Sequence, residues 1–127
     1  MKITRLIDPR LHTVLDRLAK EPLPLRTAFK LKGIIKIAKE ESIKYEECRQ
    51  EALNKHGLRN EDGSLVLNEL NHVMFDPENL KIFAAELNDL HNVEVNVPTL
   101  TLAELGDVLS ATYTVEDIDA LGDLIAE

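Results

Sequence analysis

The residues best spaced for chemistry fall in one passage, NEDGSLVLNELNHVMF, at positions 60–75. If Leu58 opens a calcium-binding loop, Asn60 and Asp62 take its third and fifth positions, Gly63 its tight-turn position and Glu69 its bidentate twelfth. Oxygen donors at that spacing would suit a hard cation. Two features oppose the reading. Leu58 offers no side-chain oxygen where a carboxylate is needed, and Asp76-Pro77 begins a different helix where an exit helix should continue. The passage reads instead as a turn at 60–64 and two short strands, 65–67 and 72–75, joined by the polar stretch 68–71.

The other chemically able residues are scattered. His12, His56, His72 and His91 include no pair four residues apart, and none adjoins Cys48, so the spacing required for zinc is missing. His56 and His91 fall near helix C-termini, where the dipole favours a cation. Cys48 lies in the helical pattern KYEECRQEAL and reads as a packed helix residue with no nucleophile motif around it. There is no phosphate-cradling glycine loop, nucleophile elbow or metalloprotease helix. Glu40-Glu41 and Glu46-Glu47 are most simply solvated charges. The expectation is a protein that is not an enzyme, with no catalytic residue, metal or cofactor.

Charge is the more informative signal. The 127 residues carry a net charge of −8. Residues 1–57 hold 13 of the 15 Lys and Arg and 8 of the 23 Asp and Glu, a net of +5, which leaves −13 for residues 58–127. Such asymmetry marks either two partner surfaces or two halves that neutralise one another. Arg26, Lys30, Lys32, Lys36 and Lys39 form one arc of a long helix and are the candidate partner-binding face. No aromatic platform lies among these lysines, and the overall charge is negative, so nucleic acid is a poor partner. The acids of the second half are dispersed among apolar residues, which argues against a mimic of phosphate rows.

The elements that position these residues follow from caps and periodicity. Asp8-Pro9 starts a helix with Leu11, Val14, Leu15 and Leu18 on one face, and Glu21-Pro22-Leu23-Pro24 ends it. The next helix is expected from Leu25 to His56, with Gly57 as a left-handed stop. Its inner face reads Ala28, Leu31, Ile34, Ile35, Ala38, Tyr45, Ala52 and Leu53. Within it Leu31, Ile35, Ala38 and Tyr45 follow at three- and four-residue steps through Ser42, the spacing of an oligomer seam. Asp76-Pro77 repeats the earlier cap and opens a helix that ends at His91-Asn92. Residues 93–97, VEVNV, alternate as a half-buried strand expected to pair with the two short strands of the corner. Thr101 and Thr114 have capping-box spacing, and a C-terminal helix is expected through Ile118, Leu121, Leu124 and Ile125. The expected fold is mainly α (α+β), one domain over residues 1–127. A long central helix and shorter helices accompany a two- to three-stranded antiparallel sheet. Aromatics are only 4% of the residues, so the core must be aliphatic. A single Cys excludes an internal disulfide. No apolar run approaches the ~18 residues a membrane span needs, and MKITRLIDPR is too charged for a signal peptide.

In order, the chain reads LPLRTAFKLKGIIKIAKEESIKYEECRQEALNKHG, NEDGSLVL, VMFDPENLKIFAAELNDLHNVEVNV and LAELGDVLSATYTVEDIDALGDLIAE. This succession resembles a family of small tailed-phage and prophage proteins of unknown function, over about residues 22–127. Members share a Pro-initiated long helix ending in a K.YEE.R..L..K.G pattern, an acidic Gly turn and an acidic C-terminal helix. The chain departs from them in its additional helix at 8–20 and in having fewer acids at 92–97. The resemblance implies a phage setting, in the host cytoplasm or incorporated in the virion, and supplies no catalytic or binding residues. The expected partners are phage structural proteins or further copies of the chain. The function it points to is a small virion component or particle-assembly accessory. The competing expectation is a regulator that inhibits a host or defence enzyme through its acidic half.

Overall fold

The structure, a computed structural model, describes residues 1–106 and 108–126; Asp107 and Glu127, two of the acids counted above, lie outside them. The chain divides into two compact units, Met1–Ser42 with Glu94–Glu127, and Ile43–Val93.

The first unit holds α1 (Ile3–Leu6), α2 (Pro9–Leu18) and the start of α3 (Leu25–His56). After residue 94 come β1 (Leu100–Thr101), α5 (Leu102–Leu105), α6 (Val108–Ala111), α7 (Val115–Leu121), a 3-10 turn (Gly122–Leu124) and β2 (Ile125–Ala126), with α4 (Pro77–His91) belonging to the second unit. Asp8 caps α2 by accepting from the Arg10 N–H at 2.9 Å, with Pro9 at the first helical position. Pro loses nothing there because that N–H has no partner in a helix. Leu11, Val14, Leu15 and Leu18 then bury one face of α2 against Leu6 of α1, Leu31, Ile34 and Ala38 of α3, and Leu105 and Leu121. Aliphatic burial of this kind contributes about 1.5–3 kcal/mol per side chain relative to exposure.

Among the described residues the sheet is smaller than expected and runs the other way. β1 and β2 pair in parallel, Leu100 opposite Ile125 and Thr101 opposite Ala126. The expected C-terminal helix stops at Leu121 because Gly122 takes a positive φ of 41°, which a helix cannot continue through. Ile125 therefore pairs as strand. The antiparallel pairing expected between 65–67 and 72–75 survives only as one isolated bridge, Leu67 with Val73, beside a second that was not expected, Arg59 with Leu65. Residues 93–97 do not join them. Lys2 bridges Glu94, and the Val95 N–H donates to the Met1 carbonyl at 2.8 Å. A partner from the far end of the chain leaves no mark in local sequence.

The second unit is a helical hairpin: the later turns of α3, a corner at 57–76, and α4. Asp76 caps α4 through the Asn79 N–H at 2.9 Å, as Asp8-Pro9 predicts by analogy. The corner is closed by three backbone bonds of 2.9 Å in a ring: Leu58 donates to Met74, Met74 to Val66, and Val66 to Leu58. Gly57 ends α3, but not by a left-handed turn, since it is absent from the positive-φ glycines. A Cβ there would lie 2.6 Å from Val73 Cγ1 and 2.8 Å from the Leu53 carbonyl, so glycine is required by close packing. No residue of α4 is fully buried. Tyr45 OH meets His91 Nε2 at 2.8 Å with the rings stacked, His56 Nε2 meets Glu86 at 2.9 Å, and Phe75 stacks on Phe83 at 4.8 Å.

Candidate protein-interaction surface

The candidate basic face lies on the first turns of α3, within the first unit. Its five cations do not behave alike. Lys30 is spent on the chain itself: its ammonium sits 3.0 Å from both carboxylate oxygens of Glu104. That bond, with the Thr101 backbone N–H, holds the Glu104 carboxyl below its usual range. Lys36 reaches Glu40 only at 3.9 Å, with both side chains largely in water, a pair that contributes little. Arg26, Lys32 and Lys39 are exposed and make no ion pair among the described residues.

Beside these cations stand two apolar side chains that sequence reading left out, one of them, Phe29, an exposed aromatic of the kind the basic arc was expected to lack. Leu25 is 88% exposed and Phe29 79%. They lie four residues apart and so share a face of the helix. The signal was present: both fall outside the apolar arc that packs inward, among Lys32 and Lys36. Gly33 follows at the same step, and a Cβ there would meet nothing within 4 Å among the described residues.

The candidate oligomer seam is largely consumed by the chain. Leu31 and Ala38 are buried in the first unit's core, and Ile35 packs against it. Tyr45, in the second unit, is bonded to His91. Three- and four-residue spacing marks any buried helix stripe, and here it marks this protein's own core.

A second surface forms on α7. Thr114 and Asp117 make the expected reciprocal capping box, and Asp117 also binds Arg17 at 2.8 Å. The Thr114 N–H and Arg17 together lower the Asp117 carboxyl from its usual value. Arg17 reaches the Thr112 carbonyl at 2.9 Å and lies 4.4 Å over the Tyr113 ring. These bonds fix α7 and leave its outer side free. Val115 is 84% exposed and Ile118 is partly exposed, beside Glu116 and Asp119, whose carboxylates make no ion pair among the described residues. Nearby Arg10 is engaged by Asp8 at 2.9 Å.

The remaining candidates are internal fastenings. In the acidic corner Asp62 accepts from the Ser64 N–H at 3.0 Å and its hydroxyl at 2.6 Å, while Arg59 donates to the Gly63 carbonyl. One oxygen that would face a cation, Asp62 Oδ1, is thus turned to the chain's own donors. His12 Nε2 lies 2.9 Å from the Leu6 carbonyl, which only accepts, so that nitrogen carries the proton and cannot act as a base toward Ser42. Ser42 donates to the Ala38 carbonyl at 2.8 Å. Cys48, expected to be packed, is exposed. Among the described residues no helix is long and apolar enough to cross a membrane.

What this geometry offers is recognition through exposed apolar anchors rimmed by charge. No protein-family model, curated protein or solved structure matches the chain. The functional reading therefore rests on the residues themselves.

Proposed function

We infer that the protein is a non-enzymatic phage protein that works by protein–protein contact, as a small virion component or particle-assembly accessory. The observation that carries this is the pair Leu25 and Phe29, held in water beside the uncommitted cations Arg26 and Lys32. Single exposed apolar residues are ordinary on a surface, but adjacent ones rimmed by charge suit a docking site. The phage setting, in the host cytoplasm or the particle, is what the whole-chain resemblance implies. Mass spectrometry of purified particles, read with the neighbouring genes, tests it. Peptides of this chain at a fixed ratio to capsid or tail proteins are the expected result.

The acidic α7 surface favours one second reading, a regulator that covers the basic site of a host or defence enzyme. That reading requires absence from particles and stoichiometric co-purification with the enzyme, lost on Glu116→Lys.

A further inference from the structure

Gly33 is a cost without an internal reason. Only proline is a poorer helix former than glycine, yet among the described residues nothing lies close enough to exclude a side chain at that position. It is not a stop, for α3 runs on to His56. A bare backbone patch in mid-helix is useful where another surface must come close. Leu25, Phe29 and Gly33 lie at successive four-residue steps and form one stripe on the outside of α3. Arg26, Lys32 and Lys36 rim it. An occupant of matching chemistry is a short helix with apolar anchors between carboxylates.

The chain carries such a helix. α7 exposes Val115 and Ile118 three residues apart, flanked by Glu116 and Asp119. We propose that α7 of one copy docks on the Leu25–Phe29–Gly33 stripe of the next, so that copies associate head-to-tail. This rests on reading the protein as an interaction protein and names its partner. Like surfaces cannot pair: stripe on stripe opposes Lys32 and Lys36 to their own kind, and α7 on α7 opposes Glu116 and Asp119. Unlike surfaces satisfy both charge and apolar cover. Because each copy uses two different surfaces, association continues until it closes in a ring or extends as a filament. An apolar contact of a few side chains is small, so the association is weak per contact and strengthens with protein concentration.

The test is sedimentation velocity of the full chain over a range of concentrations, at about 50 mM and about 500 mM salt. Screening weakens an exposed charged contact at the higher salt. Wild type is expected to show species beyond the dimer that grow with concentration and shrink with salt. Phe29→Asp removes the stripe and leaves α7; Val115→Lys removes α7 and leaves the stripe. Each alone is expected to weaken association by roughly tenfold or more, and an equimolar mixture to form a one-to-one dimer and nothing larger. Both residues are exposed, so unchanged circular dichroism will verify folding. Gly33→Gln separates this role from a structural one: it is expected to raise the melting temperature while weakening association. A wild type monomeric throughout, variants that still self-associate, or a mixture that stays monomeric overturns the head-to-tail contact. A monomeric protein that is nonetheless found in particles overturns this inference and leaves the particle reading in place.

Discussion

Leu6, Leu15 and Ile34 of the first unit are sealed from water, while in the second unit Leu80 and Ile82 of α4 remain about half exposed. The first unit is held by aliphatic packing in which every member covers several others. The second is held by fastenings, Tyr45 to His91 and His56 to Glu86, at separate points along two helices. Packed carbon contacts are numerous and collectively large, whereas a net hydrogen bond contributes about 1 kcal/mol. The comparison teaches that stability is concentrated in the first unit. The hairpin is the part that opens at low cost.

The strongest way to break this contrast is to cut equivalent leucines. Leu15→Ala is expected to cost about 2–5 kcal/mol, because it leaves a cavity in a closed core. Leu87→Ala, on the half-covered face of α4, is expected to cost about 1 kcal/mol, since its surroundings are partly water already. Denaturant midpoints check both, and equal losses would refute the contrast. Next in size is Gly57→Ala, expected to cost about 1–3 kcal/mol by forcing Val73 and Leu65 away. Hydrogen exchange should place that loss in residues 43–93 and leave the first unit's amides protected. Thr114→Ala should cost about 1 kcal/mol through loss of a helix cap, and should loosen α7 alone. The smallest effect is acid sensitivity. Lys30 lowers the Glu104 carboxyl, and the Thr114 N–H with Arg17 lowers Asp117. Each contributes stability that is present above its unfolded value and lost as pH falls through the folded one. Asp117→Asn should therefore flatten the acid limb of the stability–pH curve. The second unit's Glu46 is held to about 2 by Arg49 and Gln50, but it lies in water, and Glu46→Gln should alter that limb little.

What could be read from sequence divides along the same physical line. Asp8-Pro9, Asp76-Pro77 and Thr114 announced their helices because a cap is made within three residues, whereas the capping-box spacing at Thr101 left 100–109 open between a single helical turn and a loop. The bounds of α3 from Leu25 to His56 came from prolines before it and glycine after it. Gly57 was placed correctly for the wrong reason, since the groups that exclude a side chain include Val73 and Leu65, across the corner. The pairing of 93–97 with the start of the chain, and of Ile125 with Leu100, had no local signal at all. The candidate surface was half legible. Its charges were visible as an arc on a helix, but which of them are spent inside the chain, as Lys30 is on Glu104, depends on a residue far along the sequence. Leu25 and Phe29 were overlooked because the apolar arc that packs inward was followed, and both lie outside it.

The ring of bonds among Leu58, Val66 and Met74 has a consequence for how this protein can vary. Each of the three residues gives through its N–H and receives through its carbonyl, and they recur at equal steps along the chain. Loss of any one member breaks two of the three bonds and leaves the other two residues joined by one, so the ring positions must keep their register. Length changes are therefore tolerated only at the loop tips, around Gly63 and Asn71, where positive φ already turns the backbone outward. The corner behaves as a clasp of fixed gauge, through which the helices on either side inherit a set spacing whatever decorates the tips.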